Sequence, residues 1–79
     1  MRYEVTLPKL GDETEAAATV AFWLVDEGDD VRKGDDLVEL TTDKASFTLP
    51  SPKKGTVVEM LVQEDEEVQV GDALCVLEV

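Results

Sequence analysis

Residues 20–40, VAFWLVDEGDDVRKGDDLVEL, decide the fold, because the chain repeats them. At an offset of 37 they align without a gap on residues 57–77, VVEMLVQEDEEVQVGDALCVL, and nine of the 21 pairs are identical. The identities are Val20 with Val57, Leu24 with Leu61, Val25 with Val62, Glu27 with Glu64, Val31 with Val68, Gly34 with Gly71, Asp35 with Asp72, Leu37 with Leu74 and Leu40 with Leu77. Each copy reads as an apolar strand, an acidic turn, the string Val-x-x-Gly-Asp-x-Leu and a second apolar strand. Gly34 and Gly71 take the same place in that string. Glycine there reaches positive φ without a Cβ clash, and the aspartate after it can satisfy backbone N–H groups of the turn.

The flanking segments read as further short strands. Arg2 to Leu7 alternates, with Tyr3, Val5 and Leu7 on one face, and Ala45, Phe47 and Leu49 alternate against Ser46 and Thr48. Residues 50–55, PSPKKG, are expected to form a turn, since Pro50 and Pro52 cannot donate to a ladder and Gly55 relaxes the backbone. The Glu and Ala content of residues 12–23, DETEAAATVAFW, invites a helix, but Thr19, Val20, Phe22 and Trp23 favour a strand and the repeat equates this segment with Val57 to Val62.

Two strand-turn-strand units, each with an apolar face it cannot hide alone, pack against one another as a small all-β sandwich or flattened barrel with pseudo-twofold symmetry. The first unit continues past Leu40 through Thr42 into a turn at Lys44, whereas the second reaches Val79, the counterpart of Thr42. The Lys44 turn and the C-terminus are therefore expected at equivalent places at opposite ends of the molecule, with Lys44 on an exposed tip.

The chain has 79 residues, read as a single domain over 1–79, with 19 Asp and Glu against 7 Lys and Arg and a net charge of −12. That field repels nucleic acid and anionic membrane surfaces and favours encounters with basic proteins. No histidine is present and Cys75 is the single cysteine, so Ser-His and Cys-His nucleophile pairs, intramolecular disulfides and His or multi-Cys metal sites are excluded. Cys75 lies in the strand-like run ALCVLEV, reads as a small buried apolar residue and fits a reducing compartment. The first ten residues hold no signal-peptide core, and VAFWLV is too short to cross a bilayer. Carboxylate pairs such as Asp29 with Asp30 and Glu66 with Glu67 fall in acidic turns without the enclosing pocket that would separate their pKa values, which argues against an enzyme acting alone.

Lys44 stands in TTDKASF, residues 41–47. A carboxylate beside an ammonium favours the charged form, so this setting is wrong for a Schiff-base lysine and right for one that another enzyme modifies. Lys33, Lys53 and Lys54 also fall in turns, but none is flanked by matched strands.

These residues carry a family resemblance. KGDDLVELTTDKA, the opening VTLPKLGDETEAAATVAFWLVDEGDDV and the later LPSPKKGTVVEMLVQEDEEVQVGDAL together resemble the lipoyl domains of 2-oxo acid dehydrogenase complexes, over essentially the whole chain. The resemblance implies a flattened β-barrel of two four-stranded antiparallel sheets with quasi-twofold symmetry. It implies lipoate joined covalently to Lys44 as N6-lipoyllysine, with Asp43 and Ala45 as the flanking recognition motif, in a domain that is not itself catalytic. The implied partners are a lipoate ligase or lipoyl/octanoyl transferase for attachment, and the dehydrogenase (E1), acyltransferase (E2) and dihydrolipoamide dehydrogenase (E3) between which the arm shuttles acyl groups or reducing equivalents. The isolated domain is expected to be monomeric, in cytoplasm or mitochondrial matrix, either free-standing or cut from a longer chain. Many lipoyl domains place a glutamate three residues before the lysine; here that residue is Thr41, with Glu39 two positions earlier on the same strand face. The alternatives are a biotin carrier, which shares the fold but typically sets its lysine between methionines, and an unmodified acidic β-sandwich interaction module.

Overall fold

Alternating apolar residues let a strand bury one face while its ladder satisfies the backbone, and the repeated segments do this except where a bulge interrupts them. The computed structural model describes residues 1–8 and 17–79. Among them the strands are β1 (Arg2–Thr6), β2 (Ala17–Trp23), β3 (Asp30–Val31), β4 (Asp36–Thr41), β5 (Ser46–Pro50), β6 (Gly55–Met60), β7 (Glu67–Gln69) and β8 (Ala73–Glu78). They form two four-stranded sheets, ordered β1-β8-β6-β3 and β5-β4-β2-β7, and every pairing is antiparallel. This is the architecture expected from the sequence. The segment weighed between helix and strand is β2 from Ala17 onward, and its residues 12–16 lie outside those described.

The two sheets are copies of one another. A shift of 37 carries β2, β3 and β4 onto β6, β7 and β8, irregularities included. The register slips between Val20 and Phe22 in β2 and between Val57 and Glu59 in β6. A second slip spans Leu37 in β4, and its counterpart skips Leu74 in β8. Such bulges sharpen the local twist and curl a sheet toward closure. They also explain why Leu37 and Val38 are buried side by side, which strict alternation forbids.

Most of the repeat identities now have a physical reason. Val20, Val57, Leu37, Leu74, Leu40 and Leu77 are fully buried, and Val31 and Val68 nearly so; each such side chain contributes about 1.5–3 kcal/mol by leaving water. Gly34 and Gly71 both have φ +94. Asp35 accepts the Arg32 N–H and Asp72 the Gln69 N–H, each at 2.9 Å. Leu24 and Leu61 are exposed, and nothing in the structure explains their identity.

Strands β1 and β5 occupy equivalent edges although they lie outside the repeat. Buried Val5 corresponds to buried Leu49, and Leu7 to Ser51. The Gly34 N–H donates to the Ser51 carbonyl at 2.8 Å and the Ser51 N–H to the Asp35 carbonyl at 2.7 Å. At the other corner Gly71 and Leu7, and Leu7 and Asp72, make the same two bonds at 2.9 Å. These corners join the sheets, and the buried Ser51 hydroxyl is satisfied by the Lys53 carbonyl at 2.6 Å.

Two details of the expected 50–55 turn differ. Pro50 is the last residue of β5, tolerated because β5 is an edge strand that can forgo a donor. Gly55 opens β6 instead of loosening a loop. A Cβ there would sit 2.5 Å from the Glu78 carbonyl oxygen, so glycine is required by close approach of β8.

Candidate functional site

Lys44 lies between β4 and β5, and the anchoring of that hairpin begins in the core. Leu40 is fully buried and pairs with half-buried Phe47, while Leu49 is buried opposite Val38. On its other side β4 is held by β2 through Leu40 with Val20 and Thr41 with Thr19. The last ladder pair is Thr41 with Ser46, after which Asp43, Lys44 and Ala45 are all exposed. The structure thus brings the three expected residues together on one protruding turn whose base cannot move without disturbing the core.

The turn is closed by Thr42. Its N–H donates to the Ala45 carbonyl at 2.8 Å. Its hydroxyl donates to the same carbonyl and accepts the N–H groups of Lys44 and Ala45, all at 3.2 Å. Ala45 therefore serves through its backbone, with both polar groups engaged by one threonine. Thr42 was not among the expected site residues, although a hydroxyl residue at the first position of a turn is a recognisable signal of side-chain-to-backbone bonding. Thr41 and Glu39 lie half-buried on the same face of β4, with buried Leu40 pointing the other way.

Lys33, Lys53 and Lys54 have different surroundings. Lys53 Nζ lies 5.1 Å from the centre of the Tyr3 ring, within cation–π range. Lys54 lines a shallow groove with Asp30, Asp35 and Thr56, and Lys33 is exposed in the turn before β4. Among the described residues no group of three or more His, Cys, Asp or Glu is placed to hold a metal ion.

The pseudo-twofold counterpart of the Lys44 turn is the meeting of the chain ends. The Val79 N–H donates to the Met1 carbonyl at 2.8 Å, the same bond and length that join Thr42 to Ala45. The Met1 ammonium donates to the Val79 carbonyl at 3.1 Å and pairs with Glu78 at 2.9 Å, which holds the Glu78 carboxyl below its usual range. Gly55 packs against Glu78 and pairs with Val31, just before the turn that starts β4. The chain ends thus sit where β4 begins, and Lys44 where it finishes.

The model of the biotinyl/lipoyl family, described as "Biotin-requiring enzyme", matches residues 3–77. The chain belongs to the biotinyl/lipoyl family. Within that family it is 39% identical over 75 residues to the lipoamide acyltransferase component of the branched-chain alpha-keto acid dehydrogenase complex of Bacillus subtilis, covering 95% of this chain and 18% of that protein. A solution structure of the lipoyl domain of the 2-oxoglutarate dehydrogenase complex of Azotobacter vinelandii superposes with a TM-score of 0.75 at 26% identity, covering 96% of this chain and 95% of that one. A single-chain, multi-domain long-chain acyl-CoA carboxylase superposes with a TM-score of 0.79 at 28% identity, covering 95% of this chain and 7% of the other. The biotinyl/lipoyl chain described here thus spans less than a fifth of the acyltransferase component that it matches.

Proposed function

We propose that residues 1–79 are one lipoyl carrier domain, that lipoate is joined covalently to Lys44, and that the domain is not catalytic by itself. The observation that carries this reading is the exposed Lys44 at the tip of a hairpin rooted in the core. The tip fits the group: its lysine protrudes, and the backbone beneath it is fixed by Thr42. In the attachment step, Lys44 Nζ would give up one proton to solvent or a base of the attaching enzyme, attack the carbonyl carbon of an activated lipoyl acyl group, such as a mixed anhydride with AMP, and lose a second proton as the amide forms. The amide C–N bond forms, the acyl–oxygen bond breaks, and AMP leaves with the bonding pair. The product loses the lysine's charge. Its stem and acyl chain give a reach of roughly a dozen ångströms from the turn at ordinary bond lengths.

The bound group supplies a dithiolane that takes up an acyl group or electrons in one active site and releases them in another. The protein supplies position and reach. A 2-oxo acid dehydrogenase complex is the setting favoured by the acyltransferase relatives, with a dehydrogenase, an acyltransferase and a dihydrolipoamide dehydrogenase as the enzymes served and a reducing compartment as the location. Lipoate is preferred to biotin because Asp43 and Ala45 flank the lysine, while Met1 lies beside Val79 and Met60 packs against the core.

The test is to incubate the unmodified protein with lipoate, ATP and a lipoate ligase and read intact mass and the modified peptide. One lipoyl group on Lys44, absent from Lys44→Arg, is the expected result. Attachment at another lysine, or biotin taken up by a biotin ligase in preference to lipoate, would overturn the reading.

A further inference from the structure

β4 ends at Thr41 and β5 begins at Ser46, so the Lys44 turn is a four-residue connection, 42–45. Connections of this length are most often built around a turn without positive φ. Among the described residues positive φ occurs at Gly28, Gly34, Asp65 and Gly71, so neither Asp43 nor Lys44 uses it. What braces this connection is a side chain. The Thr42 hydroxyl accepts the Lys44 and Ala45 N–H groups and donates to the Ala45 carbonyl, fixing the backbone on both sides of the Lys44 Cα. At the pseudo-equivalent place stands Val79, without a hydroxyl, and there the structure has chain ends and no turn.

We propose that Thr42 is a positioning residue for the modification of Lys44, its hydroxyl holding the turn in the conformation that the attaching enzyme docks. This rests on the lipoyl carrier reading and adds to it a determinant outside the Asp43-Lys44-Ala45 tripeptide. Attachment requires Nζ at bonding distance from an activated acyl carbon, and small backbone rotations at the turn swing that distant atom out of line. A turn that samples other conformations docks in proportion to its competent fraction, which raises apparent KM and leaves the chemical step of the docked complex alone.

The experiment compares wild type, Thr42→Ser and the near-isosteric Thr42→Val as substrates of a purified lipoate ligase, and follows amide hydrogen exchange at Lys44 and Ala45 by NMR. Thr42→Val removes three long hydrogen bonds and is expected to raise KM for the domain roughly 3- to 10-fold, about the net worth of a single well-made neutral hydrogen bond, with kcat within about twofold. Exchange at both amides should accelerate by a similar factor, and Thr42→Ser should restore both readouts. Unchanged exchange in Thr42→Val overturns the positional role whatever the ligase does, and an unchanged KM with faster exchange overturns its importance for docking. A wild-type protein modified at a lysine other than Lys44 would instead sink the carrier site itself, and with it this role.

Discussion

Glu27 and Glu64 each hold the other half of the molecule. The Glu27 carboxylate accepts the Met60 N–H at 3.0 Å, and the Glu64 carboxylate accepts the Trp23 N–H at 3.1 Å. Donors and acceptors are both 37 residues apart, so one contact is made twice. The Trp23 indole adds a bond from Nε1 to the Val62 carbonyl at 3.1 Å.

Because the two contacts are equivalent and exposed, Glu27→Ala and Glu64→Ala should destabilise by similar amounts, about 1 kcal/mol each. In a domain of this size that is a fall in Tm of roughly 4–8 °C. Paired thermal and urea melts check it, and a loss at one site only would mean that the halves are not energetically matched.

Gly34 and Gly71 provide a second matched pair. A Cβ at either would meet no atom within 4 Å, yet φ is +94 at both, so a substitution is opposed by backbone strain alone. Gly34→Val and Gly71→Val should each cost about 1–3 kcal/mol. Gly34→Asn should cost less, since Asn visits that region more readily. Gly55→Ala is a contrasting case: its backbone is ordinary and its cost comes from the Glu78 carbonyl. A β8 that shifts should reveal it through faster amide exchange at Glu78 and Val79.

Cys75 is fully buried, and burial pushes its thiol up to about 11 from 9.0. Between these values the unfolded chain has lost the proton that the folded chain keeps, so the contribution to stability is complete below about pH 9 and declines as pH rises through about 11. At pH 8 a thiol reagent should label the folded protein only through opening, and urea should accelerate labelling in step with unfolding. Rapid labelling of the native protein would contradict the burial.

Joining Val79 to Met1 through two residues and opening the chain between Asp43 and Lys44 should preserve both sheets, because the ends already make the bond that Thr42 makes with Ala45. Cooperative unfolding of that permuted chain is the expected result, and its absence would show that the native turn does more than connect.

The sheets and the core were legible because duplication writes them twice: buried residues and turn glycines recur at one spacing, and the Lys44 tip followed as the place where the first unit runs on past the end of the repeat. The equivalence of β1 with β5 was hidden. It runs through the chain ends, so Val5 and Leu49 stand 44 apart and no single offset shows both relations. The role of Gly55 was illegible for another reason, since a clash with Glu78, 23 positions away, leaves no local mark. The role of Thr42 was legible only in part: its hydroxyl at the first position of a turn signals side-chain-to-backbone bonding, but the three bonds it makes depend on the folded turn.

The arrangement of the chain ends has a consequence for larger assemblies. Any polypeptide fused before Met1 or after Val79 enters and leaves side by side at one pole, while the exposed Lys44 turn projects from the other. A leash at one pole and an open turn at the opposite one keep out of each other's way, so the module can be strung into longer proteins without covering that turn.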